Sequence, residues 1–186
     1  MKITKNTITS LLGGNGSGKS SLLEVISGTR RPTSGIITVF GRNPMLIRGM
    51  IGYLPQNFSL YDKLTVEENI RYFSAMYGKD TDIAGLMELY GVSGFSEKRY
   101  DQLSGGMKRR TEIACILSAD PDLIIMDEPS AGLDNDSSRE LWELIQQLKA
   151  SGKTIIVASH EEKEAVENSD IVLYMKDGEM TEGGVR

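Results

Sequence analysis

A glycine-rich segment near the start of the chain has the spacing of a phosphate-binding loop. Residues 13–20 read GGNGSGKS and match the pattern G-x-x-x-x-G-K-[ST]. Glycines let successive backbone N–H groups point at a phosphate, and a following helix adds its positive end. In such loops the lysine, here Lys19, reaches the β- and γ-phosphates of a nucleotide, and the hydroxyl of Ser20 contacts Mg²⁺. The pattern alone does not choose among kinases, GTPases and motors.

The predicted phosphate contacts are the loop itself and the serine that follows it, whose hydroxyl adds an α-phosphate contact. They are Gly13, Gly14, Asn15, Gly16, Ser17, Gly18, Lys19, Ser20 and Ser21.

Two acidic residues, Asp127 and Glu128, follow the apolar run 123–126. An Asp at the end of a strand beside a phosphate loop can hold Mg²⁺, usually through water, and a neighbouring Glu can polarise an attacking water as general base. An isolated pair of acids in this position is about as often a solvated turn or a helix cap. Because a phosphate loop lies upstream, we assign Asp127 to the metal and Glu128 to the base.

Short apolar runs bounded by turn residues predict the strands that position these groups. Residues 8–12 lead directly into the glycine-rich loop, and residues 123–126, 155–159 and 171–175 have the same β-rich character. Leu141, Leu144, Ile145 and Leu148 recur at helical spacing and predict one apolar helix face. Strands alternating with helices indicate an α/β protein with a parallel sheet.

The residue pattern of the stretch 58–102 differs from that of the rest of the chain and predicts a helical insertion. Two helical segments, 66–77 and 83–90, are separated by glycines, without a strand pattern of their own. About 45 residues is small for an independent domain. We therefore predict one domain over residues 1–186, with a core formed by 1–57 and 103–186 and a helical subdomain at 58–102.

Composition excludes several function classes. The chain has 186 residues, 39% of them hydrophobic, a net charge of −5 and a pI near 5.0. These values fit a globular domain, and the acidic balance argues against nucleic acid as a partner. No apolar run approaches the roughly 20 residues that span a bilayer, and the start shows no secretory signal. The single cysteine, Cys115, excludes an intrachain disulfide and suits a reducing compartment.

Four further motifs resemble those of the nucleotide-binding domain of ATP-binding-cassette (ABC) proteins, in that family's order and spacing. Residues 103–107, LSGGM, are similar to the family's LSGGQ signature, with Met in place of the usual Gln. Residues 53–56 (YLPQ) resemble the Q-loop, residues 130–134 (SAGLD) the D-loop, and residues 158–160 (ASH) the switch-histidine loop. The resemblance covers nearly the whole chain and implies a P-loop NTPase (RecA-like) fold: a mainly parallel sheet flanked by helices, a helical signature subdomain and a reduced antiparallel β subdomain.

The resemblance also implies roles for individual residues. Gln56 contacts Mg²⁺ and the attacking water, His160 senses the γ-phosphate and positions water with Glu128, and Asp134 orients the facing protomer's site. The implied cofactors are ATP and Mg²⁺. The implied catalytic residues are Lys19, Gln56, Glu128, Asp134 and His160, and the implied metal-binding residues are Ser20, Gln56 and Asp127.

The signature segment has the chemistry of an anion site, because the Ser104 hydroxyl and the N–H groups of Gly105 and Gly106 stand at a predicted helix N-terminus. In the family the bound γ-phosphate belongs to the opposite protomer. The resemblance therefore implies a head-to-tail dimer, either a homodimer or a heterodimer with another nucleotide-binding domain. Transmembrane permease subunits are the other implied partner, which places the chain in the cytoplasm at the face of a membrane.

The start of the chain is short for the family. Only 12 residues precede Gly13, and no aromatic residue occurs before Phe40. The part of the antiparallel subdomain that carries the adenine-stacking aromatic residue is therefore expected to be missing. Stacking on a base contributes about 1–3 kcal/mol, so we expect weaker ATP affinity with unaltered phosphate chemistry.

The leading functional prediction is an ATP-binding and ATP-hydrolysing subunit of an ABC transporter of exporter type, which powers transport through a separate membrane-spanning partner. One alternative is a soluble ABC ATPase of DNA repair or chromosome maintenance. Those proteins split the cassette around a long coiled coil, whereas only 47 residues separate Gln56 from Ser104 here and no sustained heptads occur. A second alternative is a nucleotide-dependent regulatory module with weak turnover. Four intact site residues disfavour it: Lys19, Asp127, Glu128 and His160.

Overall fold

A computed structural model describes residues 3–78 and 81–185. Its strands are β1 (Ile8–Leu12), β2 (Ile51–Leu54), β3 (Leu123–Asp127), β4 (Thr154–Ser159), β5 (Ile171–Lys176) and β6 (Glu179–Val185). Its helices are α1 (Lys19–Ser27), α2 (Val66–Met76), α3 (Ile83–Leu89), α4 (Gly105–Leu117), α5 (Asn135–Ala150) and α6 (Glu162–Asn168). Among the helices in these ranges, none combines the length and apolar character needed to cross a membrane.

The strands form one sheet in the order β2-β3-β4-β1-β5-β6, parallel except for the antiparallel pair β5–β6. The register sets Leu12 at the end of β1 beside Ser159 of β4, and Asp127 at the end of β3 beside Ala158. The carboxyl ends of β1, β3 and β4 therefore lie at one edge of the sheet. This is the edge at which open α/β sheets bind ligands.

The central strands are buried because apolar side chains cover both faces of the sheet. On one face Leu11 of β1 belongs to a core cluster with Leu23 of α1 and Ile125 of β3. On the other face Leu12 packs with Ala165 of α6. Strands buried on both sides favour continuous apolar runs, which is why β3 and β4 were recognisable in the sequence. β1 also contains Thr9 and Ser10 and was recognisable because it leads into the glycine-rich loop.

The chain divides into two compact units. The first comprises the chain up to Gln56, Pro121–Pro129 and the chain from Ile145 onward, and the second comprises Asn57–Asp120 and Ser130–Leu144. Within the second unit, α2 contacts both α3 and α4. The second unit thus contains the segment 58–102 and extends beyond it, because α4 packs against α2.

Two local interactions begin α2 at Val66. The Thr65 side chain accepts a hydrogen bond from the backbone N–H of Glu68, and the Glu68 carboxylate accepts one from the N–H of Thr65, which is a complete capping box. Asn69 is fully buried, and its side-chain amide donates to the carbonyls of Tyr61 and Thr65. These bonds fix the loop before α2 to the helix.

Asp170 joins three elements of the first unit. The stability that its carboxylate contributes is expected to depend on pH. One carboxylate oxygen accepts from the backbone N–H of Ile8 at 2.8 Å, and the other pairs with Lys149 of α5. Burial opposes ionisation, but these two partners outweigh it and hold the pKa of Asp170 below its ordinary value. A lowered carboxyl pKa stabilises the fold above the ordinary pKa, and the contribution is lost as the pH falls.

Asp170→Asn is therefore expected to reduce the free energy of unfolding by about 1 kcal/mol at pH 7, a figure already reduced for the solvent exposure of the pair. The difference in free energy of unfolding between the variant and the unsubstituted chain should shrink as the pH falls below about 4. Urea unfolding of both proteins at several pH values measures it. Asp122→Asn, at an exposed position before β3, is the control; a deficit that stays constant down to the lowest pH would contradict the ionic explanation.

Candidate active site

The glycine-rich segment forms the turn between β1 and α1, as its spacing predicts. Gly18 precedes the first residue of α1 at φ 103°, a left-handed conformation that favours glycine. Within the described parts of the chain, the backbone N–H groups of Asn15, Gly16, Gly18 and Lys19 make no hydrogen bond. Unpaired N–H groups beside a helix N-terminus are what a phosphate needs, so the loop fits the phosphate chain of a nucleotide.

The phosphate loop packs against the end of β5. The sequence did not predict this contact. A Cβ at Gly13 would lie 2.3 Å from the carbonyl oxygen of Met175, so only glycine fits there. The N–H of Gly178 also donates to the carbonyl of Ser17 at 3.1 Å. The Asp177-Gly178 turn follows the predicted strand 171–175, and nothing in its composition indicates contact with a phosphate loop.

Lys19 is buried, with 6% of its surface exposed, and its ammonium group lies inside the loop. Nζ donates to the carbonyl of Gly13 at 2.6 Å and lies 3.5 Å from Oε1 of Glu128. A buried lysine requires such partners. Phosphate oxygens bound to the loop N–H groups would meet this cation.

Asp127, the last residue of β3, has the chemistry of a metal ligand. Its side chain is buried, and Oδ1 has no hydrogen-bond partner among the described residues. Burial raises the pKa of this carboxyl, while a hydrogen bond from Ser20 acts in the opposite direction. Burial and the Asp127 charge raise the pKa of the neighbouring Tyr53 to about 12, so its phenol stays neutral. An unpaired buried carboxylate oxygen beside the Ser20 hydroxyl fits Mg²⁺, which prefers oxygen ligands.

Glu128 adopts an unusual backbone conformation directly after β3. Its φ is 51°, in the left-handed region that non-glycine residues rarely occupy, and its N–H donates to the carbonyl of Ala158 at 2.9 Å. The carboxylate is buried between two partners: Oε1 faces Lys19, and Oε2 lies 2.7 Å from Nδ1 of His160. Strain of this kind is concentrated at functional sites, where surrounding contacts hold it.

His160 follows β4 and is half exposed. Its two ring nitrogens have different partners, since Nδ1 contacts Glu128 and Nε2 lies 3.4 Å from Oε1 of Glu161. The structure therefore unites Lys19, Glu128 and His160 at one edge of the sheet. Glu161 was missed by the sequence analysis; an acid that directly follows the single histidine was the available signal.

The remaining predicted contacts of the first unit lie at the surface. Gln56 is exposed two residues beyond β2, and within the described residues its side chain makes no hydrogen bond to the rest of the site. Asn15 and Ser20 are exposed, and the hydroxyl of Ser21 accepts a hydrogen bond from Arg30 at 3.2 Å. Within the described residues, neither Gln56 nor Ser21 is therefore joined by a hydrogen bond to Lys19, Glu128 or His160.

The signature segment belongs to the second unit and forms the start of α4. Ser104 caps the helix, because its hydroxyl accepts from the N–H of Met107 at 3.3 Å. Within the part of the chain that the structure describes, the N–H groups of Gly105 and Gly106 are left unpaired. Ser104 and Gly105 are exposed, so this end of the helix is open to an anion.

Asp134 lies at the start of α5, where one carboxylate oxygen accepts from the N–H of Ser137 at 2.8 Å. Hydrogen bonds from Ser137 lower the pKa of this exposed carboxyl. Asp134 therefore has a structural task in its own unit, that of a helix cap, in addition to the interface role implied by its motif.

The cap and the interface role can be separated by two substitutions. Asp134→Ala removes both the cap and the charge and is expected to lower Tm by about 2–4 °C. Asp134→Asn keeps the capping acceptor, so Tm should stay near that of the unsubstituted chain while any function of the charge is lost. Differential scanning calorimetry measures Tm; equal Tm losses in the two variants would contradict the cap assignment.

Comparison with known proteins agrees with this geometry. A family model described as "ABC transporter" matches residues 1–131. The ABC transporter ATP-binding protein NatA of Bacillus subtilis is 36% identical over 190 residues, which cover 97% of this chain and 77% of NatA. The chain belongs to the ABC transporter family. The sequence-based prediction of this family and of its α/β fold is confirmed. As a member of the family, the chain is an ATP-binding cassette of the ATPase class.

Two further ABC transporter proteins extend the comparison. The probable multidrug ABC transporter ATP-binding protein YbhF of Escherichia coli is 34% identical over 182 residues, covering 93% of this chain. The chain spans 31% of the length of YbhF. The dimeric structure of the ATP-binding cassette MJ0796, in a post-hydrolysis state bound to ADP and Pi, matches with a TM-score of 0.85 and 25% identity, covering 98% of this chain and 88% of that one.

Proposed function

We propose that this chain hydrolyses ATP as the motor subunit of an exporter, in composite sites formed with a second nucleotide-binding domain. The observation that carries the proposal is the Glu128 carboxylate held between Lys19 and His160, directly beside an open phosphate loop. These side chains supply a cation for phosphates and a carboxylate for water within one site.

The loop residues bind the phosphate chain of ATP through their unpaired N–H groups, and Lys19 neutralises the β- and γ-phosphates. Asp127 and Ser20 would hold Mg²⁺, with Gln56 as the third proposed ligand. Bound Mg²⁺ supplies charge neutralisation on the phosphate oxygens. The support for this set is the buried Oδ1 of Asp127, which has no hydrogen-bond partner among the described residues, and the Ser20 hydroxyl near the same carboxyl.

Glu128 acts as general base: it accepts a proton from the attacking water as the oxygen bonds to the γ-phosphorus and the bond to ADP breaks. His160 orients the Glu128 carboxylate through Nδ1 and contacts the γ-phosphate. This assignment is supported by the 2.7 Å contact between the two side chains.

The opposite protomer completes each site with Ser104, Gly105 and Gly106, and Asp134 orients the facing site across the interface. The exposed helix end with two unpaired N–H groups supports this role, and the related cassette MJ0796 is dimeric. The two units of the chain then work as one ATPase domain. The partner in this dimer is either a second copy of the chain or another nucleotide-binding domain.

Transport requires a membrane-spanning partner, to which the chain binds at the cytoplasmic face. The support is the family, in which NatA and YbhF are ABC transporter ATP-binding proteins, and YbhF is named a probable multidrug transporter. We infer the exporter type from that name.

Mixing two inactive variants tests the composite site. Lys19→Ala removes the phosphate-loop cation and Ser104→Arg blocks the signature, so each variant alone should release no phosphate from Mg-ATP. In a mixed dimer the loop of the Ser104→Arg chain faces the signature of the Lys19→Ala chain, which restores one intact site. If the partner is a second copy of this chain, phosphate release by the equimolar mixture is therefore expected; a mixture as inactive as its components would contradict a site shared between two copies.

A further inference from the structure

A polar cluster lies inside the second unit, within the buried stretch 111–117 of α4. Glu112 is only 6% exposed. Its carboxyl group accepts a hydrogen bond from the hydroxyl of the equally buried Tyr100 and another from Arg109 at 2.9 Å. Burial raises the pKa of the Tyr100 phenol, so the hydroxyl keeps its proton and can donate it. A buried carboxyl requires such partners, and none of the three residues belongs to the proposed ATP site.

The hydrogen bond between Tyr100 and Glu112 joins the two sides of the signature segment. Tyr100 begins the single 3-10 turn Tyr100–Gln102, directly before Leu103, and Glu112 lies about two turns into α4. The carbonyl of Tyr100 accepts from the N–H of Leu103 at 3.3 Å, and its own N–H donates to the carbonyl of Leu64 at 3.0 Å. The chain therefore enters and leaves the signature segment at two points that are bonded to each other.

The first turn of α4 has little helical stability of its own. Gly105 and Gly106 occupy its first two positions, and glycine is among the poorest helix formers. A Cβ at Gly106 would lie 2.7 Å from Oγ of Ser137, so a larger residue would displace that side chain of α5. The Ser104 cap supplies one hydrogen bond. The direction of this turn, and of its unpaired N–H groups, therefore depends on contacts made outside it.

We propose that Tyr100, Glu112 and Arg109 form a clamp that positions the signature segment for the nucleotide of the opposite protomer. This inference rests on the proposed role of that segment in the composite site. The three members of the clamp are positioning residues, because they act through the start of α4 rather than on the nucleotide. The clamp fixes the helix end before a γ-phosphate arrives, so less of it has to be ordered when the dimer closes.

A purely stabilising role explains the clamp less well. Replacing a buried ion pair, such as that of Arg109 and Glu112, by apolar side chains is often neutral or stabilising. Hydrogen bonds between buried groups instead select one arrangement, because each bond has a fixed direction. Here the selected arrangement is that of the segment before the signature relative to the helix after it.

Tyr100→Phe tests the clamp, because it removes only the hydroxyl group. In the mixture of Lys19→Ala and Ser104→Arg chains, the Lys19→Ala chain contributes the working signature. Tyr100→Phe in that chain should lower phosphate release about 10- to 100-fold, the effect of losing one hydrogen bond to a charged group. The same substitution in the Ser104→Arg chain, whose signature is already blocked, should leave release unaltered. An equal loss in both mixtures, or a loss in neither, would overturn the proposal.

Amide hydrogen exchange tests the clamp in a single chain, without the dimer. The N–H groups of Leu103 and Met107 form hydrogen bonds within the signature segment and the turn before it. In Tyr100→Phe both should exchange about 10-fold faster, because the start of α4 opens more often, while affinity for a fluorescent ATP analogue stays unaltered. Tyr174→Phe is the matched control. Its hydroxyl donates to Glu162 at 2.7 Å in the first unit, so exchange at both positions should not change.

The two measurements separate the clamp from the composite site on which it rests. If the mixture of Lys19→Ala and Ser104→Arg chains releases no phosphate, a site shared between two copies is contradicted, and hydrogen exchange alone decides on the clamp. Unaltered exchange of Leu103 and Met107 in Tyr100→Phe would overturn it. Equal acceleration by Tyr174→Phe would do the same, because the effect would then not be local.

Discussion

Glu128→Gln is expected to lower ATP turnover by about 10²- to 10⁴-fold while ATP binding persists. Glutamine keeps the shape of the side chain and its place between Lys19 and His160, but it cannot accept a proton from water. The nucleotide should therefore remain bound and unhydrolysed. Phosphate release measures turnover, and equilibrium binding of a fluorescent ATP analogue measures affinity.

The same variant should also accumulate the ATP-bound dimer, because hydrolysis no longer opens it. Light scattering should show the molar mass doubling when Mg-ATP is added. Glu143→Gln is the matched control, since it makes the same chemical change at an exposed position of α5 and should leave turnover unaltered. Undiminished phosphate release by Glu128→Gln would remove Glu128 from the role of base.

Lys19→Ala is expected to reduce ATP affinity by about 100-fold or more. A charge-assisted hydrogen bond contributes about 1.5–3 kcal/mol, and in the proposed site the lysine contacts both the β- and γ-phosphates, so two such bonds would be lost. The loss should appear with and without Mg²⁺, because the lysine acts directly on the phosphates. Titration with a fluorescent ATP analogue under both conditions measures it.

Removing Lys19 also leaves the buried Glu128 carboxylate without its cation, so a modest loss of stability accompanies the loss of binding. Thermal unfolding by circular dichroism separates the two effects. Lys163→Ala, at an exposed position of α6, serves as the control. A folded Lys19→Ala protein with unaltered ATP affinity would contradict the assignment of Lys19.

The sequence predicted the parts of the fold that need long apolar runs or helical periodicity. β1 was expected at residues 8–12 and is found there, and the apolar face of α5, from Leu141 to Leu148, is buried. β2 and β6 were not predicted. β2 has four residues, one of them Gly52, and β6 contains two adjacent glycines, so neither has a recognisable pattern. Their conformation depends on pairing with β3 and β5.

For the candidate site, the sequence motifs suggested which residues belong to it but not which of their side chains are in contact. Lys19 was assigned from the phosphate-loop pattern and Glu128 from its place after a predicted strand, whereas the role of His160 was implied by the family resemblance. The support of Gly13 by Met175 depends on a close backbone approach between β1 and β5, which no local sequence expresses. The left-handed backbone conformation of Glu128 could not be predicted from the sequence either. It depends on contacts that the residue makes with other parts of the fold.

The hydrogen bond from Lys19 to the carbonyl of Gly13 has a consequence for nucleotide affinity. The Lys19 ammonium group is already hydrogen-bonded within the loop. A phosphate chain that binds there must therefore replace the carbonyl of Gly13 as its partner. Measured affinity is therefore the difference between two competing sets of bonds. In the proposed site, the 3.5 Å contact between Lys19 and the Glu128 carboxylate competes with a bound phosphate in the same way.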